Sequence, residues 1–133
     1  MSIGENAAKY HDLGYNCCQC VLNACMSYTG LDEKTGLAIA GGFGGGLRSG
    51  EVCGAISGAV MALGLVFPYN DHTAPEAKER IGELTAECVK RCTEACGNVT
   101  CRDLKDKCGK TCNELIAICA QIAEQMIIEN KEK

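Results

Sequence analysis

The chain has 133 residues, 47% hydrophobic and 23% charged, with a net charge of −4, the size and balance of one globular unit. No basic stripe appears, which argues against nucleic-acid and anionic-membrane partners. The longest apolar run, residues 52–67, contains Gly54, Ser57, Gly58 and Gly64 and stops at Pro68, short of the ~18–20 residues of a membrane helix.

Apolar residues recur with a period near 3.6 and no alternating segment interrupts them. This predicts an all-α fold: a single compact domain over residues 1–133, of about six helices. A first short helix covers residues 5–13 and breaks at Gly14. Asn16 is a good N-cap for a second helix reaching residue 29, which Gly30 closes. Asp32 caps a third helix over residues 33–40. A glycine-rich loop, Gly-Gly-Phe-Gly-Gly-Gly-Leu-Arg-Ser-Gly, occupies residues 41–50. Ser49 then caps a buried central helix, residues 50–66. Thr73-x-x-Glu76, with Pro75 in the first turn, opens a fifth helix that runs to Cys96 and stops at Gly97. Thr100-x-x-Asp103 caps a short helix to residue 107, and Thr111-x-x-Glu114 opens the last one, to residue 129.

Twelve cysteines are the compositional outlier. No positively charged segment followed by an apolar stretch opens the chain, so no secretory leader is expected. The thiols are then expected to be reduced, in the cytoplasm, rather than paired in a disulfide framework. Four of them fall at predicted helix starts: Cys17 after Asn16, Cys53 after Ser49, Cys101 after Thr100 and Cys112 after Thr111. A helix start offers unpaired backbone N–H groups and about half a positive charge, which favour thiolate over thiol. Four such thiols on four helices suggest one pocket holding an anionic centre, and four thiolates suit zinc or an iron–sulfur cluster. The rest read mainly as core. Cys88, Cys92 and Cys96 recur every four residues beside Ile81 and Leu84. Cys108, Cys119 and Cys25 lie on similar stripes, and cysteine packs as a small hydrophobe.

Cys17 and Cys20 also make a Cys-x-x-Cys at a helix start, with Cys18 between them. This adds Cys18 and Cys20 as further candidate thiols, although no βαβ pattern of a thioredoxin-like fold surrounds them. The glycine loop lacks the Gly-Lys-Ser/Thr of a phosphate loop. Its expected use is close backbone approach just ahead of Cys53. His11 and His72 read as surface residues.

Cys53-Gly-Ala-x-x-Gly58 resembles the heart of the C_GCAxxG_C_C family of redox-active proteins. Tyr15-Asn-Cys17, the glycine loop, Cys101-Arg-Asp-Leu104 and Cys112 extend the resemblance over nearly the whole chain. The resemblance implies that Cys17, Cys53, Cys101 and Cys112 share a site, and it suggests electron transfer and iron–sulfur binding. The leading expectation is therefore a cysteine-ligated iron–sulfur electron carrier or redox partner protein. A metal-free dithiol/disulfide protein and a thiolate site for zinc or another soft metal are the alternatives. A redox protein is the expected partner, and pairing of two copies stays open. No general base marks a substrate pocket, and no Cys-x-x-Cys-His marks a covalently attached haem.

Overall fold

The computed structural model describes residues 2–131. Its elements are α1 (Ile3–Asp12), α2 (Cys17–Ala24), α3 (Met26–Thr29), α4 (Glu33–Ala40), α5 (Gly54–Val66), α6 (Pro75–Cys96), α7 (Cys101–Asp106) and α8 (Cys112–Lys131). Among the described residues the extended pairing amounts to one isolated antiparallel bridge, Val52 to Thr100. The fold is all-α, as the periodicity requires.

Most helix starts follow from local capping. Asn16 and Gln19 form a reciprocal box: each side-chain oxygen accepts the other's backbone N–H, both at 2.9 Å. Asp32 accepts from the Thr35 N–H at 3.0 Å, Thr100 from Asp103 at 3.2 Å, and Thr111 from Glu114 at 3.2 Å. These positions agree with the sequence, because an i to i+3 cap needs no tertiary information.

Several boundaries differ. Helix α1 begins earlier than expected, because Ser2 forms a capping box with Glu5. Thr73 does not cap α6; its hydroxyl donates to the Asp71 carboxylate at 2.7 Å, and Pro75 alone marks the helix start. Ser49 does not cap α5 either; its hydroxyl turns back to the Leu47 carbonyl at 3.1 Å. The chain there cannot yet be a right-handed helix. Gly45, Gly46, Leu47, Arg48 and Gly50 have φ of 63°, 62°, 61°, 58° and 73°, a left-handed run that glycine tolerates and that strains Leu47 and Arg48. Helix α5 therefore starts only at Gly54. The expected second helix is also interrupted at Cys25, whose N–H bonds back to the Leu22 carbonyl at 3.1 Å. Eight α-helices thus stand among the described residues, where about six were expected.

Helix α5 lies at the centre, against α2, α6 and α8, and α2–α5 is the most extensive helix pair. Their closeness has a definite cause. A Cβ at position 58 would sit 2.8 Å from the Cys18 carbonyl oxygen and 3.0 Å from Val21 Cβ. One at position 54 would sit 2.9 Å from the Phe43 carbonyl oxygen and 3.2 Å from the Cys18 nitrogen. The two glycines of Cys-Gly-Ala-x-x-Gly are thus the flat surface on which α2 lies. Alanine at position 58 should force the helices apart and cost about 1–3 kcal/mol. Urea unfolding of Gly58→Ala measures this; a midpoint equal to the wild type would contradict the close-crossing explanation.

Candidate functional site

Each of the four helix-start cysteines is fixed by its own local device. Cys17 is the first residue of α2, behind the Asn16 cap. The Asn16 amide also donates to the Gly41 carbonyl at 3.1 Å, and the Gln19 amide to Leu37 at 2.9 Å. These bonds pin the start of α2 to the end of α4. Gly44 packs directly on the Asn16 side chain, where a Cβ would meet its Cβ at 2.5 Å. Cys53 is itself the N-cap of α5.

Cys101, the first residue of α7, is tied to Cys53 by the isolated bridge. The Cys53 N–H donates to the Val99 carbonyl at 2.8 Å, and the Cys101 N–H to Glu51 at 2.6 Å. Arg102 completes the tie by donating to the Ser49 carbonyl at 2.9 Å. Cys112 begins α8, behind the Thr111 cap.

All four line one cavity of about 110 Å³, together with His11, Tyr15, Gly45 and Lys105. Cys53 and Cys101 are buried, at 1% and 8% exposure, whereas Cys17 and Cys112 are half-buried. No three His, Cys, Asp or Glu donors among the described residues converge on a point that would hold a single metal ion.

A profile of the C_GCAxxG_C_C family, described as putative redox-active proteins, matches residues 15–126. The chain belongs to this family. No curated protein and no solved structure matches it significantly.

Within this family member the matched segment contains all four cavity cysteines and leaves out α1, which contributes His11. Cys18 and Cys20, the additional candidates, do not line the cavity. The Cys18 thiol lies 3.7 Å from the Met61 sulfur, and the Cys20 thiol donates to the Tyr15 carbonyl at 3.6 Å. They belong to the packing behind it. His11, read from sequence as a surface residue, stands at the cavity wall.

Lys105 is the residue that the sequence reading missed. It lines the same cavity as the four cysteines, and its pKa is raised by the negative charge that Cys112, Cys101, Cys17 and Cys53 would carry as thiolates, in that order of strength. The available signal was its spacing: Lys105 is four residues after Cys101 and therefore on the same face of α7.

The charge state of the thiols corrects a second expectation. Helix starts were expected to lower their pKa, yet burial pushes Cys53 up to about 11, although the Ala55 and Ile56 N–H groups face its sulfur and oppose the rise. Burial also raises Cys17, with further contributions from Cys112 and Cys53. Desolvation of a thiolate outweighs the helix-end field where water is excluded. Because Cys53 holds its proton to about pH 11, its thiolate fraction should rise about tenfold per unit between pH 7 and pH 10. Iodoacetamide labelling of the metal-free protein, followed at the Cys53 peptide by mass spectrometry, should show that slope. A rate already level by pH 8 would contradict it.

Proposed function

We propose that Cys17, Cys53, Cys101 and Cys112 together hold an iron–sulfur cluster, and that the chain carries electrons to or from another redox protein. The supporting observation is the donor set itself: four thiols on four separate helix starts around one small cavity. A structural zinc would need four sulfurs about 2.3 Å from one point, hence about 3.8 Å from each other. Thiols spread around the walls of a cavity suit a polynuclear group better, because its cysteines are divided among different irons.

The remaining lining fits the same reading. A cluster with four thiolates carries net negative charge. The Lys105 ammonium and the Ala55 and Ile56 N–H groups supply the compensating field, and donors aimed at sulfur tune the potential of such a group. Tyr15 and Leu115 in the wall limit access of water. When bound, the cluster would supply one-electron transfer without proton transfer to a substrate. Cys17 and Cys112, half-buried, mark the side from which an electron partner would approach.

A second reading is a metal-free dithiol, favoured by Cys17 and Cys112 being the two half-buried thiols that line the same cavity. In it these two thiols lose two electrons and two protons to a disulfide partner and close on each other.

Protein prepared without oxygen, or reconstituted with iron and sulfide, separates the two readings. The expected wild type is coloured and contains iron and acid-labile sulfide. Cys53→Ser, a hard and poorly acidic replacement, should lose or alter that spectrum. A colourless, iron-free wild type that reversibly forms a Cys17–Cys112 disulfide would select the dithiol instead.

A further inference from the structure

Residues 45–52 and helix α7 form one continuous surface beside the cavity. The Val52–Thr100 bridge joins them, and the Arg102 side chain lies across Gly50 and donates to the Ser49 carbonyl at 2.9 Å. Gly45 and Lys105, one from each segment, line the cavity with the four cysteines. Val52 precedes Cys53 and Arg102 follows Cys101 in the chain. The surface is therefore one residue away from two of the four candidate ligands.

The chain's own packing does not account for what this surface displays. Leu47 is 53% exposed and Val52 41% exposed, and Arg48, Arg102 and Lys105 are exposed around them. Leu47 and Arg48 hold φ of 61° and 58°, a region that strains side chains other than those of asparagine and aspartate. Neither side chain is buried, and no ion pair among the described residues includes Arg48. Strain held at exposed positions that the core does not use points to a contact outside the chain.

Charge is distributed in the same sense. Residues 45–52 and 98–111 hold five of the 13 basic and three of the 17 acidic side chains, a balance of +2 that leaves −6 on the rest of the chain. Asp103 is paired with Lys107 at 3.6 Å, on a different side of α7 from Arg102 and Lys105, which stand three residues apart on one face. Glu51 and Asp106 are the exposed anions that remain among these cations. An apolar pair framed by cations, with two carboxylates between them, suits the acidic face of a protein better than the unbroken phosphates of a nucleic acid.

We propose that Leu47, Arg48, Val52, Arg102 and Lys105 form the docking surface for a small acidic redox protein, which exchanges electrons with the site past Cys53 and Cys101. The proposal rests on the reading of the chain as an electron carrier. One electron leaves the reduced partner, which is oxidised, and enters the site, which is reduced; no bond is made or broken. Leu47 and Val52 form the centre of the contact and the three cations steer the partner onto it, as in transient, charge-guided encounters. Lys105 extends the surface to the cavity, on the side marked by half-buried Cys17 and Cys112.

Docking is measured on the full-length chain without metal, so that its outcome is independent of cluster binding. Protein labelled with nitrogen-15 is titrated with a flavodoxin, a small acidic electron carrier, and in parallel with cytochrome c, a basic one. Flavodoxin should shift the amides of residues 46–52 and 101–107, and should bind about tenfold more weakly at ~300 mM than at ~30 mM salt. Arg48→Glu should weaken it about fivefold. Leu47→Asn and Arg48→Asn, which suit left-handed backbone, should also weaken it while unfolding at no lower urea concentration than the wild type. Absence of shifts at low salt, shifts confined to other residues, or equal binding by wild type and Arg48→Glu would overturn the surface. Shifts of the same amides produced instead by cytochrome c, by a single-stranded oligonucleotide or by raising the protein's own concentration would overturn the partner's class. Iron and sulfide reconstitution is measured separately, so docking without a cluster and a cluster without docking tell the two failures apart.

Discussion

The structure depends on the contact between α2 and α5, two helices close enough that the backbone of one lies on the glycines of the other. Gly58 sits under the Cys18 carbonyl and Gly54 under the Cys18 N–H. Such contact leaves no room for side chains between the axes, so it fixes the helices' relative height as well as their separation. Cys17 and Cys53 stand at the ends of these helices. The crossing that defines the core therefore also sets the distance between two site sulfurs. The Val52–Thr100 bridge then brings Cys101 beside Cys53, and packing of α8 against α1, α2 and α5 adds Cys112.

Two opposing electrostatic effects meet at this site. Helix-end N–H groups and Lys105 favour negative sulfur, while burial and the mutual repulsion of several thiolates oppose it. In the metal-free chain burial prevails at Cys53 and Cys17. A positively charged group delivered among the sulfurs would reverse the balance, because each thiolate would then have a direct counter-charge. On the proposed reading, the site is thus built to be completed by its ligand. The left-handed loop serves the same end: it admits Gly45 to the cavity wall and delays the start of α5 until Cys53 is in place.

Much of this was legible in the sequence where the deciding interaction is local. The caps at Asn16, Asp32, Thr100 and Thr111 bond three residues ahead, and the helices begin where those residues stand. Ser49 and Thr73 fail as caps for equally local reasons: each hydroxyl has a nearer partner, Leu47 or Asp71. The four site cysteines could be grouped because each follows a helix-start signal. Lys105 was hidden because a lysine on a short helix looks like a solvated residue until the facing sulfurs are known. Cys108 was expected in the core and is half-buried at the end of α7, where Gly97 packs on its sulfur. The α6 stripe announced buried cysteines, and Cys88, Cys92 and Cys96 are buried, because a face repeating every four residues needs no tertiary information to be recognised.

The central claim is that Cys17, Cys53, Cys101 and Cys112 act as one ligand set. Thiol footprinting tests it most directly: anaerobically reconstituted and metal-free protein are alkylated in parallel at matched pH, and each cysteine is quantified by mass spectrometry. The expected result is simultaneous protection of these four on reconstitution, with half-buried Cys108, which lies outside the cavity, labelled equally in both samples. Protection of a different set, or labelling of the four that is unchanged by bound iron and sulfide, would contradict it.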